Sequence, residues 1–187
     1  ARESLEIFGP LADRLNMGRV RVEIEDLSFK YLAPRRYEKL KNEIQTRISR
    51  SQQSLDDVRS EVENKLKAEH IKAHIDGRIK SVYSLHKKLT KHNNIDEIYD
   101  LIALRIITKD ITTCYLILLH QLYQPLLGRI KDYISRPKPN GYQSLHTTVE
   151  TPAGQIVEFQ IRTEQMHEYA EHGLAAAFHY NEQKLSD

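Results

Sequence analysis

Apolar positions in the first third of the chain recur every three or four residues, a spacing that places side chains on one face of a helix. One such run spans Leu5–Leu15, and Gly18 is expected to break it. Arg19–Tyr31 fits a helix better than a strand, and Pro34 suits the first turn of the helix that follows. From Tyr37 to Leu66 the period continues, which predicts a long amphipathic helix of roughly 45 Å with a charged outer face.

Beyond His70 the pattern changes to an alternation of predicted strands and helices. The predicted strands are Ile71–Ile75, Leu101–Ile107, Ser144–Glu150 and Ile156–Ile161. The predicted helices are Ser81–Lys91, Ile111–Tyr123 and Glu164–Tyr180, and a loop rich in Pro, Gly and Lys runs from Gly128 to Gly141. Helices followed by mixed strands and helices indicate the α+β class, with a helical module at 1–68 and an α+β domain at 69–187.

Composition narrows the classes of protein that fit this pattern. The chain has 187 residues, 29% of them charged, and a formal net charge of +2, which argues against a general nucleic-acid coat. The single cysteine, Cys114, excludes an internal disulfide framework and a cysteine-based zinc site. No apolar run approaches the roughly 20 residues that cross a bilayer, so we expect a cytoplasmic protein without membrane partners. The first residue is not Met and the last seven residues form a largely polar tail, so a fragment of a longer protein is expected.

A basic segment at 77–88 is the first candidate binding element. Lys80, Ser84 and Lys88 are four residues apart, so on a helix they share one face. Two ammonium groups and a hydroxyl near the N-terminal part of a helix suit an oligophosphate. A solvated basic face is the alternative interpretation of the same spacing.

Two acids lie on or beside predicted strands. Asp100 precedes an apolar strand, where it is either a cap or a metal ligand. In the strand at 156–161, alternation places Glu158, Gln160 and Arg162 opposite the core, as the floor of a site or as an exposed sheet face. If the two strands are neighbours, the carboxylates of Asp100 and Glu158 could share Mg²⁺, which prefers hard oxygen ligands and substrate phosphates.

The loop at 128–146 holds four cations against one acid. Tyr142 offers a ring for stacking on a base, and Asn140 offers an amide for a base edge. An exposed basic loop remains the alternative.

Four segments, in this order, carry a resemblance to a known family. They are GRIKSVYSLHKKL, YDLIALRI, GRIKDYISRPKPNGYQSLHTT and EFQIRTEQMHEYAEHG. Together they resemble the synthetase domain of the RelA/SpoT family, which makes the alarmone (p)ppGpp. The resemblance implies a nucleotidyltransferase-like mixed β-sheet flanked by helices, preceded here by a helical module. It also implies transfer of pyrophosphate from ATP to the ribose 3′-hydroxyl of GDP or GTP, with release of AMP and with Mg²⁺ as cofactor.

The resemblance also implies a role for each matched residue. Asp100 and Glu158 would be the catalytic and metal-binding acids. Arg78 would stack on adenine, and the ATP phosphates would be held by Lys80, Ser84 and Lys88. The GDP or GTP set would be Lys131, Lys138, Asn140, Tyr142 and His146. Secondary candidates are Arg105, Arg129, Gln160 and Arg162.

The subtype and the partners follow from the same resemblance. Arg129-Ile130-Lys131-Asp132 matches the R-x-K-D pattern of family members that have, or descend from enzymes with, a hydrolase domain. No His-Asp dipeptide occurs, so no hydrolase activity is expected from this chain. Direct nucleic-acid binding is not expected, and a ribosome contact would need C-terminal regions outside this chain. Two other functions stay open, namely a catalytically weak guanine-nucleotide-binding regulatory module and, less favoured, an RNA-binding domain.

Overall fold

The computed structural model describes residues 1–90, 101–119, 123–152 and 154–174. A π-helical turn at Ser4–Phe8 precedes helices α1 (Gly9–Arg14), α2 (Gly18–Leu32), α3 (Pro34–Ala68), α4 (Val82–Leu89), α5 (Ile111–Leu119) and α6 (Glu164–His172). The strands are β1 (Ala73–Ile79), β2 (Ile102–Thr108), β3 (Lys131–Asp132), β4 (Leu145–Glu150) and β5 (Ile156–Thr163). The predicted α+β class is confirmed.

The five strands form one mixed sheet in the order β1-β2-β5-β4-β3. Strands β2 and β5 are parallel, and the other neighbours are antiparallel. The parallel pair aligns Ala103 with Glu158 and Arg105 with Gln160. The strand after residue 100 and the strand carrying Glu158 are therefore neighbours, which is the condition set above for a shared metal.

One face of the sheet packs against the second half of α3 and against α5. The alternation in β5 sends Val157, Phe159 and Ile161 into this core. The shared core also holds the apolar stripe of α3, namely Leu55, Val58, Val62 and Leu66. The opposite face of β5 is left to its polar residues.

A second apolar cluster joins the helices around α4. Phe29 of α2 and Leu40 of α3 pack with Val82 and Leu85 of α4, and both leucines are fully buried. The apolar side of α4 is therefore buried between α2 and α3. The first 68 residues thus contact the sheet and α4 directly, and the division into two domains at 68/69 stays a prediction.

Local signals explain where several elements begin and end. Pro34 stands in the first turn of α3, as predicted, where its missing N–H is not needed. The Thr163 hydroxyl caps α6 by accepting from the Met166 backbone N–H. Within the helix predicted over Glu164–Tyr180, α6 ends at His172, because Gly173 takes a φ of +63°. The predicted part from residue 175 onward lies outside the described residues. None of the described helices has both the length and the apolar character needed to span a membrane.

Candidate active site

A cavity of about 910 Å³ opens on the polar face of the sheet. Its walls come from β1, β2, β5, the start of α4, the loop before β4, α6 and the turn between α1 and α2. Twelve of the predicted site residues line it: Arg78, Lys80, Ser84, Arg105, Lys131, Lys138, Asn140, Tyr142, His146, Glu158, Gln160 and Arg162. Lys88 and Arg129 are described but do not line it, and Asp100 lies outside the described residues.

Glu158 lines the cavity and is held by a chain of hydrogen bonds. Its side chain is 15% exposed. Gln160 donates from Nε2 to Glu158 Oε1 over 2.8 Å, and Arg78 Nη1 donates to Gln160 Oε1 over 2.7 Å. Because an amide accepts through its oxygen and donates through its nitrogen, the bond from Arg78 fixes which end of Gln160 faces the Glu158 carboxylate.

His146 links the acid to the aromatic part of the cavity. Its Nδ1 lies 3.3 Å from Glu158 Oε1, and its Nε2 lies 2.9 Å from the Tyr142 hydroxyl. Burial lowers the pKa of His146, although Glu158 works in the opposite direction. A neutral ring that donates from Nδ1 to Glu158 accepts at Nε2 from Tyr142, so both nitrogens are satisfied.

Tyr133 is an aromatic residue of this site that the sequence reasoning missed. Its ring meets those of Tyr142 and His146 edge-on, with centroids 6.2 Å and 5.3 Å away. The Lys138 ammonium lies 4.7 Å from the Tyr133 ring centroid and 4.8 Å from that of Tyr142. The available signal was its place in the same basic loop, nine residues before Tyr142.

The basic segment is built differently from the predicted single helical face. Helix α4 begins only at Val82, with the Ser81 hydroxyl capping Ser84 N, so Lys80 precedes the helix. The carboxylate of Asp26 in α2 accepts from the backbone N–H groups of Val82 and Tyr83. These two N-terminal donors are therefore occupied by the Asp26 carboxylate. Lys80 and Ser84 still line the cavity through their own side chains.

Within the R-x-K-D pattern, the last residue shapes the loop. The Asp132 carboxylate accepts from the backbone N–H groups of Ile134 and Ser135, both at 2.9 Å, and from the Tyr115 hydroxyl at 2.9 Å. Lys131 lies opposite His146 in the antiparallel register of β3 and β4, and it lines the cavity. The pattern thus contributes one cavity cation and one turn-forming acid.

A charged cluster anchors one end of the floor. Arg105 makes two 3.0 Å contacts to Asp76 and one of 2.8 Å to Glu171 of α6. Arg162, only 1% exposed, contacts His167 Nδ1 at 2.7 Å and Glu171 at 3.3 Å. Glu171 also escaped the sequence reasoning, since one acid on an amphipathic helix resembles any solvated position.

The N-terminal helices contribute cavity residues where none was expected. Asp13, Arg14, Arg19 and Arg21 all line the cavity. Within the described part of the chain, the lining holds nine Lys or Arg side chains, namely Arg14, Arg19, Arg21, Arg78, Lys80, Arg105, Lys131, Lys138 and Arg162. The acids there are Asp13, Glu158 and Glu171, so the described lining is strongly cationic and suits a polyanionic ligand.

Comparison with known proteins gives consistent matches. The family described as the region found in RelA / SpoT proteins matches residues 77–185. The chain is 45% identical over 187 residues to the bifunctional (p)ppGpp synthase/hydrolase RelA of Mycobacterium tuberculosis, covering 98% of this chain and 25% of that protein. It is 42% identical to a GTP pyrophosphokinase of Myxococcus xanthus, covering 98% of this chain and 25% of that protein. The chain therefore spans about a quarter of the length of these curated relatives.

Solved structures share the fold. Small alarmone synthetase 2 of Bacillus subtilis superposes with a TM-score of 0.53 at 29% identity, over 78% of this chain and 81% of the other. Small alarmone synthetase 1 of the same organism, bound to its product pppGpp, gives a TM-score of 0.55 at 21% identity, over 69% and 78% of the two chains. The second likeness concerns the fold alone.

Proposed function

This chain belongs to the RelA/SpoT family, and from that premise we propose that it transfers pyrophosphate from ATP to the ribose 3′-hydroxyl of GDP or GTP. The products are AMP and the alarmone (p)ppGpp. The observation that carries the proposal is one cationic cavity lined by Glu158 and by all of the predicted ATP-binding and guanine-nucleotide-binding residues except Lys88.

The charge of the cavity supports two nucleotides rather than one. ATP brings three phosphates and the acceptor brings two or three, so the substrates repel each other. Transfer of a pyrophosphoryl group from ATP to a hydroxyl needs positioning and charge neutralisation more than covalent catalysis by the protein. Nine cationic side chains around three acids supply that neutralisation within the described lining.

The two nucleotides are assigned to the two sides of Glu158. On the donor side, Arg78 would stack on adenine, and Lys80, Ser84 and Lys88 would hold the phosphates. On the acceptor side, Tyr142 would stack on guanine and Asn140 would read its edge, while the phosphates would be held by Lys131, Lys138 and His146. The close packing of Tyr133, Lys138 and His146 around Tyr142 supports a rigid stacking ring on the acceptor side.

Mg²⁺ is the proposed metal, held by Glu158 together with Asp100. The fit rests on the chemistry of the donor that is described: the Glu158 carboxylate, which lines the cavity, is a hard oxygen ligand of the kind that Mg²⁺ prefers. When bound, the ion would neutralise charge on the ATP phosphates.

Glu158 is proposed to orient the 3′-hydroxyl and to accept its proton. The hydroxyl oxygen forms a bond to the β-phosphorus of ATP, the bond from that phosphorus to the α–β bridging oxygen breaks, and AMP leaves with the electron pair. Gln160 and His146 would keep the carboxylate oriented during this step, because both contact it in the resting cavity.

The test compares Glu158→Gln with Glu150→Gln, an exposed acid on the neighbouring strand. Each purified variant receives ATP, GDP and Mg²⁺, and AMP and ppGpp are measured by anion-exchange chromatography. Loss of a general base is expected to slow transfer by about 10²–10⁴-fold, with Glu150→Gln unchanged. Both variants should unfold at the same temperature as the unsubstituted chain.

Three results would count against parts of this proposal. A Glu158→Gln rate within twofold of the unsubstituted rate would remove Glu158 from the catalytic role. Binding of GDP by the unsubstituted chain without any AMP release would favour the regulatory-module alternative. RNA binding that weakens steeply as the salt concentration rises, together with no preference for guanine nucleotides, would favour the RNA-binding alternative.

A further inference from the structure

The turn between α1 and α2 is fastened to the acceptor side of the cavity. Asn140 donates from Nδ2 to the Asp13 carbonyl oxygen over 2.9 Å. Asn16, which is buried, donates from Nδ2 to the Tyr169 carbonyl oxygen of α6 over 3.0 Å. This turn is therefore a fixed wall of the cavity.

Arg21 projects from α2 into the same wall. Its Nη1 makes an ion pair with the Asp13 carboxylate, and the two side chains are 28% and 51% exposed. Its Nε is buried and has no hydrogen-bond partner among the described residues. A guanidinium has five donors, and Arg21 lines the cavity with 28% of its side chain exposed, so this side chain retains capacity for another acceptor there.

The surroundings of Arg21 favour an anion. Three cations, Arg21, Lys131 and Arg78, lie close enough to Lys138 to lower its pKa by repulsion. The carboxylate of Asp13 acts on the pKa of Lys138 in the opposite direction. Burial is the main reason that the pKa of Lys138 is lowered, and the neighbouring cations lower it further. Cations clustered in this way are stabilised when a phosphate joins them.

We propose that Arg21 is a phosphate ligand for the guanine nucleotide, binding its 5′-phosphates together with Lys138 after releasing Asp13. This inference rests on the proposed function for the identity of the nucleotide. The acceptor side is assigned because Asp13, which holds Arg21, is bonded through its backbone to Asn140. Asp13 acts as the internal counter-ion that occupies Arg21 until a phosphate arrives.

Calorimetric titration with GDP and with guanosine distinguishes two effects of a substitution. Loss of a phosphate contact weakens only GDP binding, whereas a change in the base pocket weakens the binding of both ligands. Arg21→Gln is expected to weaken GDP binding about tenfold or more, with guanosine affinity unchanged within twofold. Arg21→Lys should recover part of the loss, because the charge remains while the planar fork is lost. Arg35→Gln, an exposed arginine at the start of α3 that does not line the cavity, is the matched control and should change neither affinity.

Asp13→Asn provides a second, independent variant that keeps Arg21. Its backbone carbonyl still accepts from Asn140, while the competing charge is removed. GDP affinity is expected to rise about twofold or more. Unchanged or weaker GDP binding would contradict the release of Asp13.

In the transfer reaction, Arg21→Gln should raise the KM for GDP and leave the KM for ATP within twofold. Equal GDP binding by Arg21→Gln and the unsubstituted chain would overturn the inference, and so would a parallel loss for guanosine. GDP binding that depends on Arg21 without any AMP release would uphold this inference while defeating the proposed function. A chain that binds no GDP at all would defeat both.

Discussion

Substituting Asp26 tests how the N-terminal helices support the cavity. Asp26 Oδ1 accepts from Tyr83 N over 2.8 Å, and Oδ2 accepts from Val82 N over 3.3 Å. These are the first N–H groups of α4, which have no partner within their own helix. Asp26→Ala leaves both donors without an acceptor at the end of the element that carries Ser84.

The magnitude follows from those two bonds. Hydrogen bonds to a charged group contribute about 1.5–3 kcal/mol, and loss of a helix cap costs about 0.5–2 kcal/mol. With one short and one long bond, we expect Asp26→Ala to lower the free energy of unfolding by about 2–3 kcal/mol. Burial raises the pKa of Asp26, although the two backbone N–H groups lower it, so the negative charge itself is not favoured at this place. Asp26→Asn keeps one oxygen acceptor for the short bond from Tyr83 N but turns its NH2 toward Val82 N, so it should lose less free energy of unfolding than the alanine variant, about 1 kcal/mol.

Urea unfolding followed by circular dichroism measures both variants. With a slope of about 2–3 kcal/mol per molar urea, Asp26→Ala should move the midpoint down by about 1 M. Asp57→Ala, an exposed acid on the outer face of α3, is the control and should leave the midpoint unchanged. An Asp26→Ala midpoint equal to that of the control, or an Asp26→Asn loss as large as the alanine loss, would refute the capping argument.

Two further predictions concern packing and pH. A Cβ on Gly18 would lie 2.4 Å from the Ala170 carbonyl oxygen, whereas one on Gly77 meets nothing within 4 Å. Gly18→Ala should therefore destabilise the chain by about 1–3 kcal/mol, and Gly77→Ala by less than about 0.5 kcal/mol; equal urea midpoints would contradict this. Burial lowers the pKa of His86 below 6.5, so just below that pH the unfolded chain binds more protons and the free energy of unfolding falls as the pH falls. His86→Phe, which keeps the stacking on Phe29, should flatten this fall in urea titrations between about pH 5 and pH 7, and an unchanged slope would show that His86 does not contribute.

Much of the fold was predictable because it depends on short-range patterns. Alternation in the strand carrying Glu158 separated its core side from its polar side correctly. The three-and-four spacing located the long helix, although the structure sets its bounds at Pro34–Ala68. The end of α6 at His172 is set by the backbone angle of Gly173, which the amphipathic pattern of the helix does not reveal.

The candidate site was predicted in part, and two residues show where the prediction from sequence fell short. The spacing predicts one helical face for Lys80, Ser84 and Lys88, whereas Lys80 precedes the helix that the Ser81 hydroxyl caps. Tyr133 was passed over because a tyrosine in a basic loop carries no periodic signal. The roles of the matched residues remain proposals, and Asp100 lies outside the described residues.

The sequence by itself determined the order of the elements, the faces they bury and the family motifs, since these are properties of neighbouring residues. Only the tertiary structure decided that Asp26 caps a helix 57 residues away and that Asn140 bonds to Asp13 across 127 residues. It also decided that arginines from α1 and α2 line a cavity built on a distant sheet. Helical and strand periods record which side of an element is apolar, but they hold no information about which polar side chains meet when separate elements pack together.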